Sequence, residues 1–103
     1  MSEEMLLSPT EMMEHSAEAE LFLKQFANKT RLMILCSLLK QEKSVSELLQ
    51  VVTVSQPVIS QHLALLRESN MVATRREGQT IYYRLSDERV KRLIGLMYEF
   101  FCE

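Results

Sequence analysis

The chain has 103 residues, nearly half of them apolar and a quarter charged, which is room for one domain around one core. Its longest apolar runs, Leu32 to Cys36 and Ile94 to Met97, fall far short of a bilayer span. The opening stretch MSEEMLLSPTEMMEH is acidic and lacks a basic segment followed by an apolar one, which excludes a secretory signal and leads us to expect a cytoplasmic protein with no membrane attachment.

The net charge of −2 argues weakly against a nucleic-acid partner when spread over the whole chain. Its distribution argues the other way. Residues 55–92 carry seven Lys and Arg against four acids, whereas residues 1–54 carry five against eight. Phosphates respond to the local patch, because salt screens anything farther than about 8 Å away. The two cysteines, Cys36 and Cys102, are not expected to form a structural disulfide in the cytosol. Inert, metal-binding and redox-active roles stay open for them.

The first seven residues are expected to fray. Ser8-Pro9-Thr10-Glu11 predicts a helix start, with Ser as cap, Pro in the first position and Glu in the third. This helix should run to about Phe26. Asn28 predicts the cap of a second helix, whose Leu32, Leu35, Cys36 and Leu39 make one apolar stripe. Ser44-Val45 allows a very short extended segment. Ser46 predicts the cap of a short third helix, SELLQVV, and Thr53-Val54 a break. Ser55 then caps a fourth helix, QPVISQHLALLRES, with Pro57 in its first turn, where a missing N–H does no harm.

Val72 to Glu77 alternates in the manner of a strand, Gly78-Gln79 makes a turn, and Thr80 to Leu85 is rich in β-branched and aromatic residues. Together they predict a hairpin. Ser86-Asp87-Glu88 puts acids at the positive end of a last helix, with Val90, Leu93, Ile94, Met97 and Phe101 on one face. The expected fold is mainly α with a small β-hairpin, in the order α-α-α-α-β-β-α, as one domain over residues 1–103.

A short helix, a tight break, a longer helix and then a hairpin is the layout of a winged helix-turn-helix. The second helix of such a pair presents short polar side chains to base edges in the major groove. Here Gln56, Ser60 and Gln61 are polar neighbours on the helix surface, while Val58, Ile59, Leu63, Leu65 and Leu66 are available to the core. Gln pairs bidentately with adenine, and Ser donates or accepts at several bases. Ser55 and Pro57 sit at the helix N-terminus, which suits a phosphate. The hairpin adds Arg75, Arg76 and Arg84 around a tip containing Gln79. Taken alone, these arginines fit a solvated hairpin equally well; beside a recognition-type helix they point to DNA.

The stretch from NKTRLMILCSLL through SELL and S-x-x-x-x-S-Q-H-L-x-L-L-R to G-x-x-x-Y-Y-R-L resembles the ArsR family of bacterial repressors over roughly residues 16–102. Asn70 stands where that family usually has Gly, and Asn tolerates the same left-handed turn. The resemblance implies a homodimer joined through its first and last helices, a palindromic double-stranded operator, and release on sensing a signal. The sequence supports a dimer on its own account. Met12, Met13, Leu21, Phe22, Leu23 and Phe26 in the first helix, with Leu96 and Phe100 in the last, exceed what so small a core readily covers.

Metal sensing is not expected. The third helix has no thiol, the last helix has no His, and the only histidines are His15 and His62. Two lone thiols without clustered His make a poor zinc site. His62 reads as a packing or hydrogen-bonding residue of the recognition helix. Cys36 in LMILCSLL and Cys102 in YEFFCE resemble instead the persulfide-responsive members of the family (the BigR, SqrR and HlyU group). In that group two thiols become bridged and DNA affinity falls, which implies Cys36 and Cys102 as the redox-sensing pair and a reactive sulfur species or other oxidant as the signal. Cys36 on an apolar stripe also fits an inert small hydrophobe. No catalytic triad, carboxylate pair or Gly-rich phosphate loop is present, so neither an enzyme nor a cofactor is expected.

Overall fold

Polar caps set most of the element boundaries in the computed structural model, which describes residues 8–102. The fraying expected of the first seven residues lies outside them. Helix α1 spans Pro9–Lys24 and α2 spans Lys29–Ser37. The Ser8 hydroxyl accepts from the Glu11 N–H at 3.4 Å, and the Asn28 side chain accepts from the Arg31 N–H at 3.0 Å. Both caps fall where the sequence predicts. Helix α1 stops at Lys24 rather than near Phe26 because its end tightens: the N–H groups of Gln25, Phe26 and Ala27 donate three residues back, at 3.0–3.2 Å.

Strand β1 is Lys43–Ser44, and helix α3 is Val45–Leu49. The cap of α3 is Ser44, not the expected Ser46. The Ser44 hydroxyl accepts from the Glu47 N–H at 3.2 Å, while the Glu47 carboxylate accepts from the Ser44 N–H at 2.9 Å. This reciprocal pair needs Glu three residues after Ser, a spacing that only Ser44 satisfies here. The expected continuation of α3 to Val52 ends at Leu49 instead.

Helix α4 is Gln56–Glu68, β2 is Val72–Glu77, β3 is Thr80–Leu85 and α5 is Glu88–Phe101, capped by Asp87. Asn70 takes φ +60, closing α4 with N–H bonds from Asn70 to Arg67 O at 3.0 Å and from Met71 to Leu66 O at 2.9 Å. The hairpin turns over two residues, with Gly78 at φ +63, a conformation open to glycine. The sheet has three strands in the order β1-β3-β2, because Lys43 and Ser44 pair with Tyr83 and Tyr82. The short extended segment of the sequence reading thus becomes a sheet edge and roots the wing in the body.

The core is Ile34 and Leu35 of α2, Leu48 of α3, Ile59, Leu63 and Leu66 of α4, and Val90 and Ile94 of α5, all at most 1% exposed. Val58 and Leu65, counted as available to the core, are 37% and 46% exposed. Phe101, expected on the same face of α5 as the buried Val90 and Ile94, is 75% exposed. Helix α1 contributes no fully buried residue; only its Phe22, with Phe26 just beyond, packs partly against the core. No described helix is long and apolar enough to cross a membrane.

Asn70 gives a direct check of the α4 terminus. Replacing it by Ala should lower unfolding stability by about 1 kcal/mol, since a Cβ without a local hydrogen-bonding group is disfavoured at positive φ. Asn70→Gly should leave stability unchanged or slightly raised. Urea unfolding midpoints of the two variants decide this.

Candidate nucleic-acid interface and thiol pair

The outer face of α4 is set by its inner one. Ile59, Leu63 and Leu66 are buried at helical spacing, so Gln56, Pro57, Ser60 and Gln61 face outward, and all four are exposed. Ser55 is the extended residue before the helix, and its side chain makes no capping bond. Its hydroxyl and the first N–H groups of α4 therefore remain available to an anion.

The wing divides its arginines between two faces. Arg75 stands opposite Tyr82 and Arg84 opposite Ala73, on one side of the hairpin; Arg76 stands opposite Ile81 on the other. Arg75 is fully engaged. Its Nε lies 2.7 and 2.9 Å from the two Glu42 oxygens, its Nη1 donates to Glu77 at 2.9 Å, and its guanidinium lies 4.7 Å from the Tyr82 ring centroid. The hydrogen bond from Arg75, with the charges of Arg75 and Arg84, holds the Glu42 carboxyl below the usual range. Among the described residues the Arg76 side chain makes one bond, from Nε to Gly78 O at 3.1 Å, which leaves its other donors unused. Arg84 and Gln79 are exposed.

The two thiols come from distant parts of the chain. Cys36 is partly buried on α2, packed against the core. Cys102 is exposed at the end of α5, where its N–H donates to Tyr98 O at 2.9 Å. Burial pushes the Cys36 thiol up from 9.0, and the nearby Cys102 adds to the shift. Both are free. Among the described residues no group of three His, Cys, Asp or Glu side chains could hold a metal.

The family model for the bacterial regulatory protein arsR family matches residues 28–74, from the cap of α2 into β2. Over 93 residues the chain is 47% identical to the transcriptional activator HlyU of Vibrio cholerae, spanning 90% of this chain and 86% of that one. The chain belongs to the ArsR family. It is also 42% identical over 91 residues to the biofilm growth-associated repressor of Agrobacterium fabrum, covering 88% of this chain and 78% of that protein. The solved structure of reduced HlyU from Vibrio cholerae matches with a TM-score of 0.85 at 47% identity, covering 90% and 98% of the two chains. That of the transcriptional repressor BigR from Xylella fastidiosa matches at 0.87 and 37%, covering 94% and 99%. This ArsR-family winged helix-turn-helix protein is therefore a DNA-binding transcriptional regulator and not an enzyme.

Within that frame, two residues that the sequence reading passed over matter most. Glu42 is the partner that fixes Arg75. Arg31 ties three elements together: its Nε donates to Gln25 O and its Nη2 to Lys24 O, both at 3.1 Å, and its Nη1 lies 3.3 Å from His62 Nδ1. It thus joins the carbonyl end of α1 to the recognition helix. No local pattern signals this, because Arg31 in the first turn of α2 reads as an ordinary surface cation.

Burial first, and then the Arg31 charge, hold the His62 imidazole below 6.5. The unfolded chain takes up this proton near 6.5 and the folded chain only at lower pH. The contribution to stability is therefore full above 6.5 and is lost as pH falls through the folded midpoint. NMR titration of the His62 ring should give a midpoint below 6.5. Arg31→Met should move it upward without reaching 6.5, since burial remains. The same variant should melt earlier, because two carbonyls lose their donor.

Proposed function

We propose that this regulator binds a palindromic operator as a homodimer when its thiols are reduced, represses from there, and lets go when Cys36 and Cys102 become bridged by a disulfide or polysulfide. The observation that carries the switch is the approach of two free thiols, Cys36 partly buried on α2 and Cys102 exposed at the end of α5, near enough for Cys102 to add to the upward push that burial gives Cys36. Two neighbouring thiols, one of them open to solvent, suit stepwise thiol chemistry in the cytosol. A reactive sulfur species is the signal this reading favours.

The homodimer reading rests on the outer helices. Met12, Met13, Leu21 and Leu23 of α1 and Leu96, Phe100 and Phe101 of α5 are between 40% and 75% exposed. A second copy seated there would remove this apolar surface from water. Two recognition helices related by a two-fold axis then require a palindrome. Ser55, Gln56, Pro57, Ser60 and Gln61 read the major groove, and Arg76 with Gln79 touches the backbone or minor groove. Arg75 contributes its charge but must exchange Glu42 or Glu77 to touch DNA directly.

A bridge would tie the end of α5 to α2, on which α4 packs. The relation between the dimer surface and the two recognition helices would change with it. A second reading is favoured by one observation: the relative at 47% identity is described as a transcriptional activator. On this reading the chain would raise transcription by displacing another DNA-binding protein, with the same contacts and with cysteines that are not the switch.

Reduced protein should retard a palindromic duplex, with affinity falling steeply as salt rises. Gln61→Ala should weaken binding by about 1–3 kcal/mol and relax specificity at one position. Arg76→Ala should lower the slope of log affinity against log salt by about one. Arg75→Ala should change the slope less. A persulfide donor should release DNA from the wild type but from neither Cys36→Ser nor Cys102→Ser. If both single variants still respond, the thiol switch is wrong and the displacement reading stands.

A further inference from the structure

Beside Cys36, between α2, the α2–β1 loop and α5, lies a cavity of about 870 Å³. Cys36 lines it, and so do Lys40, Lys43 and Glu99. None of these three charged residues has an ion-pair partner within 4 Å among the described residues. Met33 and Tyr98 supply apolar wall. Gly95 of α5 also borders the space, and a Cβ there would meet nothing within 4 Å. A glycine inside a helix costs about 1 kcal/mol relative to alanine, and no packing within this chain requires one here.

An unpartnered pair of cations, one unpartnered anion and a thiol around a cavity of ligand size form a constellation that no DNA contact uses. We propose that this cavity docks the sulfur donor, an organic persulfide bearing carboxylates and an ammonium, with its carboxylates on Lys40 and Lys43, its ammonium toward Glu99 and its sulfane sulfur at Cys36. The proposal rests on the thiol-switch reading above and names what that switch recognises.

The chemistry balances. The Cys36 thiolate attacks the terminal sulfur of R–S–SH. A Cys36 Sγ–S bond forms, the donor's S–S bond breaks, and R–S⁻ leaves with the electron pair and takes a proton from water. The Cys102 thiolate then attacks Cys36 Sγ and expels HS⁻, leaving a disulfide. Two thiols are oxidised by two electrons, and the sulfane sulfur is reduced to sulfide.

Docking answers a difficulty in Cys36 itself. Burial pushes its thiol up, which lowers the thiolate share and slows its reaction with a freely diffusing oxidant. A donor held beside it gains effective concentration. A small neutral oxidant such as peroxide has no anionic group to hold it and meets the exposed Cys102 first.

Mass spectrometry of the reduced full chain, following bridge formation over time, tests this. The probes are glutathione persulfide, with two carboxylates and an ammonium, cysteamine persulfide, which is cationic, and the neutral persulfide of 2-mercaptoethanol. Glutathione persulfide should saturate and react about tenfold faster than the cationic donor, the scale of two exposed ion pairs. Lys40→Gln/Lys43→Gln should abolish saturation and that preference while leaving the neutral donor's rate and DNA binding of the reduced protein intact. Lys40→Glu/Lys43→Glu should reverse the preference. Equal rates for all three donors, unchanged in both variants, would overturn the docking site and leave the switch standing. No bridge with any donor would overturn both.

Discussion

Everything outward-facing on α4 depends on three side chains that face inward. Ile59, Leu63 and Leu66 are at most 1% exposed and bury one stripe of the helix against α2, α3 and β2. Fully burying a residue of this size contributes about 1.5–3 kcal/mol. Three such residues at helical spacing fix both the axis of α4 and its rotation about that axis. Gln56, Ser60 and Gln61 are displayed because a turn of the helix about its axis would push Ile59 or Leu63 into water. The polar reading surface is a consequence of apolar packing, and a helix fixed this way needs little further ordering when it meets a groove.

The wing shows the same economy with charge. Tethering β3 to β1 places the base of the hairpin beside the core, and Glu42, just ahead of β1, reaches Arg75. The pair sits at the surface, so its worth in stability is small. Its effect is to orient: Arg75 is drawn over Tyr82 and toward the body, while among the described residues Arg76 on the opposite face and the exposed Arg84 keep donors to spare. A net-negative chain can still present a positive edge to phosphate, because among the described residues neither Arg76 nor Arg84 has a carboxylate partner within 4 Å.

What the sequence makes legible is whatever is decided within a few residues. The caps at Ser8 and Asn28, the left-handed Asn70, the two-residue turn at Gly78 and the buried stripe of α4 all follow from local chemistry. The start of α3 is also decided locally, by the Ser44-x-x-Glu47 capping box, but Ser44 fits an extended segment as well and its cap competes with that of Ser46. Val58, Leu65 and Phe101 illustrate a different limit. Apolar spacing marks a side chain as fit for burial without saying which of two adjacent helix faces meets this chain's own core. Beyond that, Arg31 with His62, Glu42 with Arg75, and Cys36 with Cys102 are long-range pairings created by the fold, and no spacing rule anticipates them. The family resemblance pointed to the two cysteines, but by analogy and not by geometry.

The first and last of those pairings converge on α2. Its inner face carries Ile34 and Leu35 into the core, its first turn carries Arg31 to the end of α1 and to His62, and its last turn carries Cys36 toward the end of α5. Close-packed interiors transmit displacement because they lack the free volume to absorb it. Under the proposed switch, a covalent tie at Cys36 would therefore not stay local. It would bias the helix against which α4 is packed, at the same time as it restrains the end of α5, whose exposed apolar side chains are offered to a second copy. The Arg31 linkage gives this helix a second hold on both α1 and α4. A change of a few ångströms at one end of α2 is thus felt by an element of the proposed dimer surface and by the reading helix together, which is the requirement for a thiol event to alter the spacing of two DNA-reading helices.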